Sequence, residues 1–180
     1  MDKKLETLYQ LGESLYQMGE YTASAICYKE AAELFHPGAQ YGYARCLEWG
    51  LGVEADPAAA FVWYEHAAQL GNVQAMCRMG DMEREGERGA PNPEAAFAWY
   101  LKAAEAGYAP AMEYVASCYF YGRGVAADLK KATRWYQKAA ESSCELTPQQ
   151  VVSLERVLSA AAREVALQED GEHTRPADKR

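Results

Sequence analysis

One phrase occurs three times at constant spacing: Trp63-Tyr64-x-x-Ala67-Ala68, Trp99-Tyr100-x-x-Ala103-Ala104 and Trp135-Tyr136-x-x-Ala139-Ala140, each copy 36 residues after the last. A fainter copy, Cys27-Tyr28-x-x-Ala31-Ala32, stands 36 residues before the first. A unit so short cannot bury an apolar face by itself, so this period constrains the chain to an array of helical repeats that bury their faces against one another. Binding, and not catalysis, is the expected business of such an array.

Other positions keep the same step. Ala39, Ala75 and Ala111 are expected to open the first helix of three units, Gly50, Gly86 and Gly122 to end it, and Asp56, Asn92 and Asp128 to introduce the second helix. Glycine suits a helix end because the left-handed conformation after the last turn costs an L-residue energy. Asp or Asn can accept a free helical N–H, and Pro57 and Pro93 then occupy first-turn positions that need no donor. On the second helix, Ala60, Tyr64, Ala67 and Ala68 share a face and Trp63 lies on its flank. The alanines allow close approach and the rings supply buried area, so both aromatic series read as structural.

Nearly half of the 180 residues are hydrophobic, which suits a folded chain, and the formal net charge is −8. That acidity disfavours nucleic acid, whose phosphates are held by clustered Lys and Arg. A protein partner with a basic or mixed surface, or such a peptide, fits better. Cys46 and Cys118 are two periods apart and Cys27 takes the register of Trp63, so the thiols read as small apolar packing residues. Neither a Cys-x-x-Cys pair nor paired histidines suggest a metal, and no cofactor is expected. A reducing compartment follows. With neither a leader nor a membrane span in the reading, the expected localisation is cytoplasmic.

The first unit is shorter: Gly12 to Tyr28 lacks four residues relative to Ala44–Tyr64, Gly80–Tyr100 and Ala116–Tyr136. Leu8, Leu11, Gly12, Leu15, Gly19, Tyr21, Ser24, Tyr28 and Ala31 follow the spacing of a tetratricopeptide repeat. The later units, with Gly50-Leu51-Gly52-Val53…Asp56 and Gly122-Arg123-Gly124-Val125…Asp128 before Trp-Tyr-x-x-Ala-Ala, resemble Sel1-like repeats. This resemblance covers about residues 5 to 143. It implies an all-α, right-handed superhelical solenoid of paired antiparallel helices, acting as an adaptor or scaffold for other proteins. The expected organisation is a tetratricopeptide-like first repeat over 1–38 and Sel1-like repeats over 39–74, 75–110 and 111–143. A C-terminal capping helix over 147–168 and a disordered tail over 169–180 complete it. The capping helix is expected from the capping box Thr147-Pro148-Gln149-Gln150 and the stripe Val151, Leu154, Leu158, Ala161, Ala162 and Val165.

If the helices pack as in tetratricopeptide arrays, the first helices line a concave surface. The candidate partner-binding positions are then Tyr9, Glu13 and Tyr16 with Gln17; Tyr41, Arg45, Glu48 and Trp49; Asp81, Arg84 and Glu85 with Gln74 and Cys77; and Glu113, Ser117, Phe120 and Tyr121. Aromatic rings offer rigid contact area and carboxylates orient a partner's Lys or Arg. The alternative is that several rings pack between helices and the acids are merely solvated. Tetratricopeptide domains that grip chaperone carboxylates use inward Lys, Arg and Asn, and the excess of acids here argues against that partner.

The third unit departs from the pattern. Glu83 replaces Leu47 and Tyr119, and Arg88-Gly89 replaces Gly52-Val53 and Gly124-Val125. A buried unpaired carboxylate is costly, so Glu83 is expected to reach water, Arg84 or Arg88. A contact patch and drift in a tolerant loop remain equal readings. His36, His66 and His173 are accompanied by no nucleophile elbow or phosphate-cradling loop, and the chain reads as no enzyme. The leading reading is an adaptor that binds one protein partner in an aromatic and acidic groove. The runner-up is an inhibitor or immunity-type protein occluding an enzyme or toxin, and the third an enzyme with an unrecognised site.

Overall fold

Cap chemistry decides where the helices start and stop. The computed structural model describes residues 3–142, 152, 155–157, 159–160 and 163. They form α1 (Lys3–Gln17), α2 (Tyr21–Glu33), α3 (Pro37–Trp49), α4 (Pro57–Gln69), α5 (Val73–Glu85), α6 (Pro93–Glu105), α7 (Ala109–Tyr121) and α8 (Leu129–Ser142), with the described positions from 152 to 163 also helical. Asp56, Asn92 and Asp128 each accept, through Oδ1, the N–H of the residue three further on, at 2.9, 3.0 and 2.9 Å. Asn72 Oδ1 likewise accepts the Ala75 N–H, and His36 accepts the Ala39 N–H through Nδ1. The first helices therefore begin at Pro37, Val73 and Ala109, two residues before the alanine series. At the capped starts the alanine is the residue whose N–H the cap accepts. Gly50, Gly86 and Gly122 close them in the left-handed conformation, with φ of 65°, 71° and 69°.

The chain divides into two units, Met1–Ala103 and Ala104–Arg180. In the first, each helix from α1 to α5 packs on the next, and α1 also approaches α3; in the second, α7 packs on α8. The architecture is an all-α helical repeat solenoid, and all regular structure among the described residues is helical. The capping box at Thr147, the apolar stripe from Val151 to Val165 and the 169–180 tail fall outside the described residues. Val157, which that stripe omits, is buried.

The repeated phrase divides its labour. Tyr28, Tyr64 and Tyr100 are fully buried beside fully buried alanines, whereas Trp63 and Trp99 are only partly covered. Trp63 meets Tyr43 edge-on at 5.6 Å, and Lys102 Nζ lies 4.2 Å from the Trp99 ring centre. Cys46 is fully buried, and burial pushes its thiol up to about 11; the same cause takes Cys77 to about 12.

The Tyr28 ring packs directly against two helical glycines. A Cβ on Gly12 of α1 or on Gly42 of α3 would come within 2.8 Å of that ring. Glycine in a helix interior ordinarily costs about 0.5–1 kcal/mol relative to alanine, so Gly→Ala there should stabilise. At Gly42 the sign reverses: Gly42→Ala is expected to destabilise by about 1–3 kcal/mol through overpacking, seen as a lower urea midpoint with an unchanged slope.

Candidate functional site

The first helices of the larger unit carry a ladder in which tyrosine hydroxyls, carboxylates and guanidinium groups alternate. Tyr28 Oη donates to Glu13 Oε1 at 2.7 Å, Tyr64 Oη to Glu48 Oε2 at 2.6 Å, and Tyr100 Oη to Asp81 Oδ1 at 2.7 Å. Each repeated tyrosine thus crosses its helix pair to reach an acid on a first helix. The acid is not always in one register. Glu13, Arg45 and Asp81 are equivalent positions, and where the second unit has Arg45 the carboxylate moves one turn on, to Glu48.

Arg45 turns back toward α1, donating through Nη2 to Tyr16 Oη, with its guanidinium 4.5 Å from the Tyr16 ring centre and 5.7 Å from that of Tyr41. Tyr41 in turn lies 5.7 Å from Tyr64. Arg78 of α5 donates to the other oxygen of Glu48 and pairs with Glu87 through both nitrogens, at 2.8 and 3.1 Å. Burial opposes the Arg78 charge, but Glu48 and Glu87 outweigh it, and its pKa is raised. Burial first, and then the bonded carboxylate, lifts the Tyr28 and Tyr64 hydroxyls far above their ordinary value. Such groups stay neutral donors at any physiological pH.

The sequence-derived positions therefore separate into kinds. Glu13, Glu48 and Asp81 hold tyrosines, and Tyr9 stacks on His36 at 4.4 Å while its ring closes over Gly38. Tyr16, Tyr41 and Arg45 form a half-buried stack, and Cys77 is half-buried. Trp49, by contrast, ends α3 with 68% of its surface in solvent, and Gln17, Gln74, Arg84 and Glu85 are exposed. Arg84 bridges Asp81 and Glu85 at 3.2 and 2.7 Å. In the smaller unit, Glu113, Ser117 and Phe120 are half-buried, whereas Tyr121 is exposed, edge-on to Phe120 at 4.8 Å with the Arg123 guanidinium 4.9 Å from its ring centre. Phe120 also borders a cleft of about 510 Å³ with Val152, Arg156 and Arg163. Sequence reasoning missed Arg78, and it held Glu87 only within the stretch Glu83-Arg84-Glu85-Gly86-Glu87-Arg88, read equally as a contact patch or as loop drift. The available signal was a long cation at Arg78, in the register of Gly42 and Tyr114, three residues before Asp81.

The third unit keeps its backbone despite Glu83. Asn92 N–H donates to Glu83 O at 2.8 Å, as Asp56 does to Leu47 and Asp128 to Tyr119. Arg84 is engaged by Asp81 and Glu85, and Arg88 lies 3.8 Å from the Phe61 ring centre. In the second unit, a Cβ on Gly52 would come within 2.3 Å of the Tyr21 backbone, so that loop lies directly on the start of α2. Arg88, in the same register, cannot repeat that approach. The loop instead borders a cleft of about 280 Å³ lined by Phe61, Met82, Glu83, Arg88 and Asn92.

An array of stacked helix pairs joined by such a ladder is the architecture of a helical repeat scaffold. The Sel1 repeat matches residues 37–72, 73–108 and 109–144, and the chain belongs to the Sel1 repeat family. It is similar to a Sel1 repeat protein from Oxalobacter formigenes, with 30% identity, a TM-score of 0.75, and coverage of 85% of this chain and 45% of that one. It is also similar to a protective antigen of uropathogenic Escherichia coli displaying an SLR fold, with 27% identity, a TM-score of 0.68, and coverage of 89% and 38%. The chain thus spans less than half the length of both. Cysteine rich protein B of Helicobacter pylori shares the fold at 19% identity and a TM-score of 0.54, over 66% of this chain and 90% of that one. Sel1 repeat proteins are in general protein-interaction scaffolds, typically without enzymatic activity. No helix among the described residues is long and apolar enough to cross a membrane.

The ladder has a pH signature. The folded tyrosines keep their protons beyond their ordinary value of about 10, so the unfolded chain loses protons first as the pH rises. Stability is therefore expected to be intact below about pH 10 and to fall above it. Tyr64→Phe should cost about 1.5–3 kcal/mol at neutral pH, the worth of a hydrogen bond to a charged acceptor, and should flatten the alkaline limb in urea titrations between pH 8 and 11.

Proposed function

We propose that this chain is an adaptor that binds a protein partner on the face built by α1, α3 and α5 of the larger unit, and that the equivalent positions of α7 are a contact surface of the smaller unit in its own right. The observation that carries the reading is Trp49: the chain's most exposed tryptophan ends α3, one turn after Arg45, whose guanidinium is held by Tyr16 and stacked on the Tyr16 and Tyr41 rings. A large ring on a rigid support loses little entropy on binding, which is why tryptophan, tyrosine and arginine dominate protein interfaces. The acids sharpen this reading. Glu13, Glu48 and Asp81 organise the face from beneath, and contact with a partner falls to Trp49, Arg84 and Glu85 and, in the smaller unit, to Glu113, Ser117, Phe120 and Tyr121.

The net charge of −8 favours a partner with a basic or mixed surface by steering its approach. Cys46 is a buried thiol and Cys27 and Cys77 are half-buried ones that fill apolar packing positions, and a reducing, cytoplasmic setting is part of this reading. Affinity capture with cross-linking from the native cell tests the proposal. Trp49→Ala and Tyr121→Ala are each expected to reduce partner recovery several-fold while changing stability by no more than about 0.5 kcal/mol, because exposed side chains contribute little to folding. Unchanged recovery, or a large fall in melting temperature, would sink the assignment of these rings to the interface.

A further inference from the structure

The second helices of the first two helix pairs, α2 and α4, carry exposed apolar side chains that the repeat does not need. Position by position, the solvent-facing residue in the second turn of the second helices runs Ile26, Val62, Ala98, Arg134, and the residue eight further on runs Leu34, Leu70, Ala106, Ser142. All eight are exposed, so alanine, arginine and serine fill these places in later units without loss of the fold. Ile26 and Leu34, at 56% and 62% exposure, are the most exposed large apolar members of the series; Ile26 lies in α2, and Leu34, two turns on, is the residue that caps its C-terminus.

The turn that follows points the same way. Phe35 has φ of +62°, the only positive value at a non-glycine residue among the described positions, and 74% of its surface is in solvent. The next two units place Gly71 and Gly107 there, both with φ of +91° and open space where a Cβ would be. The turn itself is the same: Phe35 N–H donates to Ala32 O as Gly71 does to Ala68 and Gly107 to Ala104. Phenylalanine thus sits where glycine is conformationally favoured, and it gives nothing to the turn in return. Strain of this kind, held by a ring aimed into water and flanked by Leu34, is the mark of a contact made outside the chain.

We propose that Ile26, Leu34 and Phe35 form a second docking surface, on the opposite side of the helix pairs from the α1, α3 and α5 face. It takes a protein that presents an apolar pocket edged by Lys or Arg. Charge decides the character of the edge: Glu30 lies between Ile26 and Leu34 on the helix face, Glu33 is exposed beside them, and Lys29 is the lone cation of α2. The same acids oppose an anionic membrane surface. Two docking faces on one rigid array would let the chain join two proteins, and this surface stands independently of the Trp49 face.

The test places a photo-cross-linking benzoyl-phenylalanine at residue 35 of the full chain in the native cell, with residue 49 as the probe of the other face and residue 134 as the register-matched control. The expected result is a cross-linked protein at 35, absent at 134, whose joined peptide contains apolar residues next to Lys or Arg. With that protein purified, Phe35→Gly is expected to weaken binding at least tenfold while raising the melting temperature by about 2–4 °C. Ile26→Arg and Leu34→Ser, which copy the last unit, should weaken binding at an unchanged melting temperature. Glu30→Lys with Glu33→Lys should do so most at low salt. The proposal is overturned if residue 35 cross-links only to a second copy of this chain, or no more than residue 134 does, or to a peptide without basic residues. It is equally overturned if Phe35→Gly lowers the melting temperature or leaves affinity intact, or if the protein co-sediments with phosphatidylserine vesicles through Phe35. Cross-linking at 35 alone supports this surface and counts against the Trp49 face; cross-linking at 49 alone does the reverse.

Discussion

The Tyr28 ring packs directly against a glycine of α1 and a glycine of α3, and its hydroxyl donates to a carboxylate of α1. That arrangement, one aromatic ring packed against two first helices and tied at its polar tip, is what the rest of the fold depends on. A helical repeat has no central core, so each unit must find its apolar area against its neighbours. Small residues bring the helices close enough for one ring to fill the gap, and dense packing makes the gap intolerant of a single added methyl. The hydroxyl cannot be buried without a partner, which commits each unit to supplying an acid nearby.

The acids follow from this need, and so does the character of the proposed binding face. Glu48 serves Tyr64 and Arg78 together, and Arg78 reaches on to Glu87 in the following loop. Charges that would otherwise be free to grip a partner are used to hold rings and to join one first helix to the next. A face tied together this way is suited to the proposed docking role, because an exposed ring such as Trp49 on a well-ordered support makes contact at low entropic cost. The proposed outer surface has the opposite origin. Ile26, Leu34 and Phe35 are superfluous to packing, and they are singled out by their excess over the alanine, arginine and serine of the last two units and over the glycines that take the place of Phe35.

Much of the architecture was legible in the chain. The period located every helix pair, and the Gly and Asp or Asn series marked the boundaries, because cap residues act on their own backbone within three or four positions. The burial of the tyrosines and the flanking place of the tryptophans also followed from helical register. Side-chain partners across helices were less legible. Arg78 escaped notice because its partners, Glu48 and Glu87, are 30 and 9 residues away and share no register with it. Tyr9 stood among the groove candidates, and the structure stacks it on His36, a contact that depends on how α1 meets the start of α3.

By itself the sequence determined that this is an array of helix pairs, where each pair begins and ends, and which positions vary from unit to unit. These are local properties, set by caps, turns and periodicity within a few residues. Only the tertiary structure decided which acids are engaged, that Glu48 takes over where Arg45 displaces the expected carboxylate, that Trp49 stands in solvent, and that Phe35 holds a left-handed backbone with its ring exposed. Those outcomes depend on distances between helices that are far apart in the chain. Such distances are set by the collective packing of rings against small residues and are not written at any one position.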